Sequence, residues 1–165
     1  MSPEGEKLHG ELIRNFLAIE RERFVREPLY DTSMARVTEG TVARKLGCGV
    51  DTVPPGKTGC PYHFHHAQEE MFIVLEGRGT LRVAGALVPI QAGDVIHIPP
   101  GPEYPHQIIN TSDADLKFLS ISTQERPEVC EYPDSGKAGA FFGKGKREPL
   151  IQRSENSLDY WDGEA

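Results

Sequence analysis

The sequence contains no apolar run approaching the ~18 residues that a membrane-spanning helix needs, so nothing in it reads as a transmembrane segment. It has no surplus of positive charge either: 18 Lys and Arg against 25 Asp and Glu leave a net charge of −7 and a pI near 5.4. Such a balance repels polyphosphate and anionic lipid, so neither nucleic acid nor a membrane is expected as a partner. Cysteine is scarce. Cys48, Cys60 and Cys130 are odd in number and widely spaced, which suits reduced thiols better than a disulfide framework or a four-thiolate zinc site. The opening Met1-Ser2-Pro3-Glu4-Gly5-Glu6 has no basic segment followed by an apolar one, so the expectation is a mature chain that begins here, with a cytoplasmic address. There is no Gly-x-Ser-x-Gly and no dinucleotide glycine fingerprint, which sets aside serine hydrolases and Rossmann enzymes. Gly143-Lys144-Gly145-Lys146-Arg147 lacks the frame of a phosphate loop and the strand before it, and reads as a solvated basic loop. Internal repeats and low-complexity tracts are also missing.

What remains is the composition of a folded globule: 165 residues, 38% hydrophobic and 26% charged, which fits one domain with a real core. Residues 4–26 place Leu8, Leu12, Phe16 and Ile19 at helical intervals among Glu and Arg, after Ser2 as N-cap and Pro3 at the first helical position. This predicts one amphipathic helix ending before Pro28, packed on the body or on a second subunit. From residue 41 to 123 the texture changes to short Val, Ile, Leu and Thr segments broken by Gly and Pro. Strands are expected at Thr41–Leu46, Val50–Val53, Tyr62–His65, Met71–Leu75, Thr80–Val83, Ala86–Ile90, Val95–Ile98, His106–Asn110 and Leu116–Ser122. That rhythm predicts an all-β closed barrel or jelly roll. Residues 124–165 read as an ordered arm with loops. The single tryptophan, in Asp159-Tyr160-Trp161-Asp162, is expected to pin the tail onto the body or a neighbouring subunit.

The chemistry concentrates in Cys60-Pro61-Tyr62-His63-Phe64-His65-His66-Ala67-Gln68-Glu69-Glu70 and the apolar run after it. On a strand His63 and His65 share a face, with Phe64 pointing away. In the next strand, Glu70, Phe72 and Val74 share a face, while Glu69 goes with Met71, Ile73 and Leu75; the phase therefore favours Glu70 over Glu69. Two His and one carboxylate is a facial ligand set for non-haem iron and related divalent metals. His106 opens a strand after a Pro/Gly-rich turn and would make a fourth ligand. Three neutral imidazoles and one carboxylate around a divalent ion carry a net charge of about +1, suited to an anionic oxygen ligand. His66 would face away from this group, in a solvated or supporting role. His97 is placed either in the pocket or on the outer face, and Cys60 reads as a small packed thiol before a metal thiolate.

These spacings resemble the two motifs of the cupin superfamily. His63, His65, Glu70 and Gly77 match the first, whose leading glycine is displaced here, with Gly56 one residue too far upstream and Gly59 too close. Gly93, Pro99, Gly101, His106 and Asn110 match the second, with four residues instead of two between Gly101 and His106. The resemblance covers residues 40–123. It implies a double-stranded β-helix barrel, dimeric in many members, holding a divalent metal on His63, His65, Glu70 and His106. It implies little about the reaction, because isomerases, epimerases, dioxygenases, decarboxylases, storage proteins and sensors share the fold.

The resulting expectation is a metal-dependent enzyme on a small polar metabolite, isomerase-like or dioxygenase-like. Iron, manganese, nickel, cobalt and zinc all suit the ligand set. The ion would orient two substrate oxygens while Phe72, Val74 and Ile108 exclude water. Tyr62, Tyr104 and His97 are candidates for a general base. The alternative is a non-catalytic barrel that captures a metabolite or stores metal; an assembly protein is third. The helix and the Trp161 tail suggest a homodimer.

Overall fold

The computed structural model describes residues 1–143 and 149–164. One α-helix is present among them, α1 (Pro3–Leu12), capped as expected by Ser2, whose hydroxyl accepts from the Gly5 N–H at 3.1 Å. The expected helix to residue 26 stops far short. Ile13 is already extended, the Arg14 guanidinium donates to the Gly10 and Ile13 carbonyls, and the Asn15 side chain takes the Leu17 N–H. These local bonds compete with continued helix. None of the α1 residues is buried, so the helix does not pack on the body. Among the described residues it is tied to the body by the Val42 N–H to the Glu11 carbonyl and, just past its end, by Arg14 to the Gly40 carbonyl.

The segment read as the second half of that helix is strand β1 (Glu22–Arg26), antiparallel to β2 (Tyr30–Arg36). Arg23 reaches across to the buried Asp31 in a two-pronged ion pair at 2.7 and 3.0 Å. Next comes β3 (Leu46–Val53), which absorbs the expected Val50–Val53 strand. The strand expected at Thr41–Leu46 is a turn up to Lys45. There the Thr41 hydroxyl donates to the Thr38 carbonyl and accepts from the Ala43 N–H, removing both groups from any ladder.

The remaining strands follow the expected rhythm: β4 (Phe64–His65), β5 (Glu70–Glu76), β6 (Arg78–Val83), β7 (Ala86–Gln91), β8 (Val95–Ile98), β9 (His106–Ile109) and β10 (Leu116–Thr123). The arm adds three more, β11 (Glu128–Tyr132), β12 (Lys137–Phe141) and β13 (Leu150–Arg153), before a single 3₁₀ turn. The pairings are antiparallel, in sheets ordered β1-β2-β3-β10-β5-β8, β13-β12-β11-β4 and β7-β6-β9. The fold is the expected all-β barrel. No helix is long and apolar enough to cross a membrane.

The core is the inward row of these strands. Phe72 and Val74 of β5, Leu81 of β6, Ile96 and Ile98 of β8, Ile108 of β9 and Phe118 of β10 form one buried cluster. Period two explains it, because Met71, Ile73 and Leu75 on the other face of β5 stay partly exposed. Gly77 sits at φ +84°, and a Cβ there would collide with the Asp115 carbonyl, so this turn requires glycine. The tail behaves differently from expectation: Trp161 is exposed, with its ring against neighbouring Tyr160 and its backbone bonded to Asp159 and Glu164 within the tail itself. The basic stretch 143–147 lies outside the described residues apart from Gly143.

Asn110 closes the barrel behind the site. It is fully buried, donates to the Val53 and Ala114 carbonyls at 2.7 and 2.8 Å, and accepts from the Ser112 N–H and hydroxyl. Replacing it with Ala strands the buried Val53 carbonyl and removes the tie to Ala114, so Asn110→Ala is expected to destabilise the fold by roughly 2 kcal/mol. Chemical denaturation followed by circular dichroism checks this, with Ser112→Ala as the milder reference.

Candidate metal centre

The site is built where β4, β5 and β9 meet. His63, just before β4, and His106, at the head of β9, are directly opposite one another. The His63 N–H donates to the His106 carbonyl at 3.1 Å and the His106 N–H to the His63 carbonyl at 2.8 Å. This reciprocal pair sets both imidazoles on the same inner face, ring centroids 4.6 Å apart. His65 follows on that face, 5.0 Å from the His63 ring, while Phe64 turns into the opposite packing. The four residues between Gly101 and His106 are taken up as a longer turn, with Gly101 at φ +115° donating its N–H to the His65 carbonyl. The lengthened second motif therefore still delivers His106.

Glu70 is the hub. Its Oε2 lies 2.8 Å from His106 Nε2, 3.4 Å from His65 Nε2 and 3.8 Å from His63 Nε2. Glu70 Oε2 and His106 Nε2 are buried with no assigned hydrogen-bond partner among the described residues. The backbone fixes the far sides of two of the rings. His63 Nδ1 faces the Pro61 carbonyl at 2.8 Å and His106 Nδ1 the Tyr104 carbonyl at 3.2 Å. A carbonyl cannot donate, so each Nδ1 carries a proton and each ring presents its Nε2 toward Glu70. Ring nitrogens and a carboxylate oxygen converge on one small space, a donor set that suits a positive charge placed among them. Burial, reinforced by His106, pushes His63 down to about 4, which keeps it neutral. Burial opposes charge on Glu70, but contacts with His106 and His65 hold its carboxyl well below the usual range. Burial also opposes charge on His65, where the carboxylates of Glu70 and Glu128 prevail and raise it. His63, Glu70 and His106 form one group of donors spaced to hold a metal ion; His63, His65 and Cys130 form a second.

The sequence reading missed what the arm contributes. Glu128 on β11 is 2% exposed and accepts three backbone N–H groups, from His66 at 3.0 Å, Ala67 at 3.1 Å and Gln68 at 2.9 Å. It thereby fixes the turn between His65 and Glu70, with its Oε1 3.4 Å from His65 Nδ1. Burial pushes the Cys130 thiol up to about 12. A cavity of about 190 Å³ opens onto His63 and His65, and Cys60, Gln68, Arg126, Tyr132 and Phe141 are among the residues that line it. The candidate general bases do not line it. Tyr62 is buried under Arg82 and its hydroxyl accepts from the Gly85 N–H, Tyr104 is exposed, and His97 faces outward from β8. His66 is exposed, its Nε2 2.8 Å from Glu131.

The cupin domain family model matches residues 49–122. Those residues are a cupin domain. It is 38% identical over 73 residues to an uncharacterized protein of Methanocaldococcus jannaschii, covering 42% of this chain and 57% of that one. It is 38% identical over 69 residues to the oxalate-binding protein of Thermotoga maritima, covering 42% of this chain and 54% of that one. The cupin chain thus spans just over half the length of these curated relatives. Among solved structures, it resembles a proposed sugar phosphate isomerase of Acidithiobacillus ferrooxidans with a TM-score of 0.76 at 25% identity, covering 87% of this chain and 90% of that one. The cupin match ends before β11, so Glu128 and Cys130 lie outside the part that carries the family signature.

Glu128→Ala removes the acceptor of three backbone donors at once. It is expected to cost about 3 kcal/mol or more and to free the 66–68 turn. Hydrogen exchange of those three amides, fast in the variant and slow in the wild type, checks the cause along with the size.

Proposed function

We propose that this cupin is a metal-dependent enzyme acting on a small polar metabolite, with His63, His65, Glu70 and His106 holding one divalent transition metal. The observation that carries this reading is the convergence of three buried imidazole nitrogens on the Glu70 carboxylate, whose Oε2 has no assigned hydrogen-bond partner among the described residues. A bound ion supplies Lewis acidity toward substrate oxygens and stabilises an enediolate or other developing anion. The chain does the rest. The Pro61 and Tyr104 carbonyls fix the ring tautomers of His63 and His106, and Glu128 holds the turn that aims His65 and Glu70. Phe72, Val74 and Ile108 keep water from the inner side. On the open side the cavity suits a molecule of few heavy atoms. Arg126 lines it as a cation with no ion pair among the described residues, and its guanidinium lies 5.5 Å from the Phe141 ring.

The likeness to the proposed sugar phosphate isomerase over most of both chains supports an isomerase-like reaction ahead of a dioxygenase-like one. The oxalate-binding relative supports a second reading, a metal-bearing module that binds a small carboxylate without turnover. We further propose a single domain over residues 1–165, a cytoplasmic setting and a homodimer. The dimer reading draws on Leu8 and Leu12 of α1 and Phe24 of β1, which are exposed among the described residues.

Elemental analysis of untagged protein tests the centre. The wild type is expected to carry close to one transition metal per chain, and His63→Ala and Glu70→Ala to carry only traces while keeping the far-ultraviolet circular dichroism of the barrel. Equal trace metal in all three overturns the metal reading. Turnover of sugar phosphates or small hydroxy acids by the loaded wild type then separates enzyme from module, for which a small carboxylate would raise Tm without being consumed.

A further inference from the structure

Resting on the metal-centre reading, we propose that the Cys130 thiolate is a direct ligand of the bound ion, making the centre a mixed nitrogen, oxygen and sulfur site. Cys130 lies directly opposite His65 in the β11–β4 ladder, so the two side chains project from the same face. It is only 3% exposed, and its sulfur lies within 4.8 Å of ligating nitrogens of both His63 and His65. His63 is common to this trio and to the trio with Glu70 and His106, so the two groups of donors adjoin one another. A second feature points to a ligand at the same place: His106, 1% exposed, aims an unpartnered Nε2 into that cluster.

The set of four expected from the sequence is therefore incomplete. His65 stands between the Glu70 side and the Cys130 side, 3.4 Å from the Glu70 oxygen by its Nε2. An ion drawn toward His63 and His65 comes within reach of the sulfur. Binding replaces the S–H bond of Cys130 with a sulfur–metal bond and releases one proton to solvent, with no change of oxidation state. A thiolate donor favours borderline and soft ions such as Zn²⁺, Co²⁺ and Cd²⁺ over Mn²⁺, which prefers carboxylate and water.

Cobalt(II) titration of metal-free protein reads both levels separately. Visible d–d bands report that Co²⁺ occupies the centre, whereas an intense near-ultraviolet sulfur-to-cobalt band reports the thiolate. The wild type is expected to show both, saturating together at one equivalent. Cys130→Ser is expected to lose the near-ultraviolet band while keeping the d–d bands, which also shows that the variant is folded, and Cys60→Ser is expected to keep both. Cys130→Ser should also lose more affinity for Cd²⁺ than for Mn²⁺. If the wild type shows d–d bands without the sulfur band, or the sulfur band survives in Cys130→Ser and vanishes in Cys60→Ser, the proposal is overturned and the metal centre stands. If the wild type shows neither set of bands, the metal-centre reading falls with it.

Discussion

The centre depends on the reciprocal backbone pair between His63 and His106. Two hydrogen bonds lock these residues opposite one another across strands that are 43 residues apart in the chain. Because side chains alternate along a strand, that single register choice decides everything that follows. His65 must share the face, Phe64 must leave it, and the β5 strand entering at Glu70 must bring a carboxylate into the gap between the rings. A slip of one residue in this pairing would put one of the two imidazoles on the opposite face and break up the group around Glu70.

The arrangement also shows how a scaffold prepares donors. Neutral histidine has one lone pair to offer, and which nitrogen offers it is set by whatever takes the other proton. Here the backbone does so at His63 and His106, through carbonyls of residues two positions upstream in each case. A short-range feature of the chain thus fixes the chemistry of a long-range cluster. The arm beyond the cupin match supports the same end from outside, since Glu128 ties down the turn that separates the two halves of the first motif.

How far this was legible in the sequence differs by element. The barrel strands and the four donors stood out because period two and fixed spacing encode them locally. Glu70 was separable from Glu69 by phase alone, and Glu69 is indeed the exposed one. The N-terminal segment misled because Phe16 and Ile19 fall at helical spacing, although Arg14 and Asn15 spend their side chains on nearby backbone groups and end the helix. Residues 22–26, Glu-Arg-Phe-Val-Arg, lack period-two alternation and are all exposed, so no strand signal stood out there. Glu128 and Cys130 were invisible for a different reason. Their partners lie about 60 residues away, and only the pairing of β11 with β4 brings them to the site. A glutamate and a cysteine two apart in a Pro- and Gly-rich arm carry no local mark of that.

The central claim is that one cation fills the space among the imidazoles and Glu70. Diffraction from crystals grown with the metal, recorded on both sides of its absorption edge, tests this most directly. The account predicts one anomalous peak at bonding distance from the Nε2 atoms of His63 and His106 and a carboxylate oxygen of Glu70. A peak lying elsewhere on the surface, with Glu70 hydrogen-bonded to a protonated imidazole in a metal-free cluster, would contradict it.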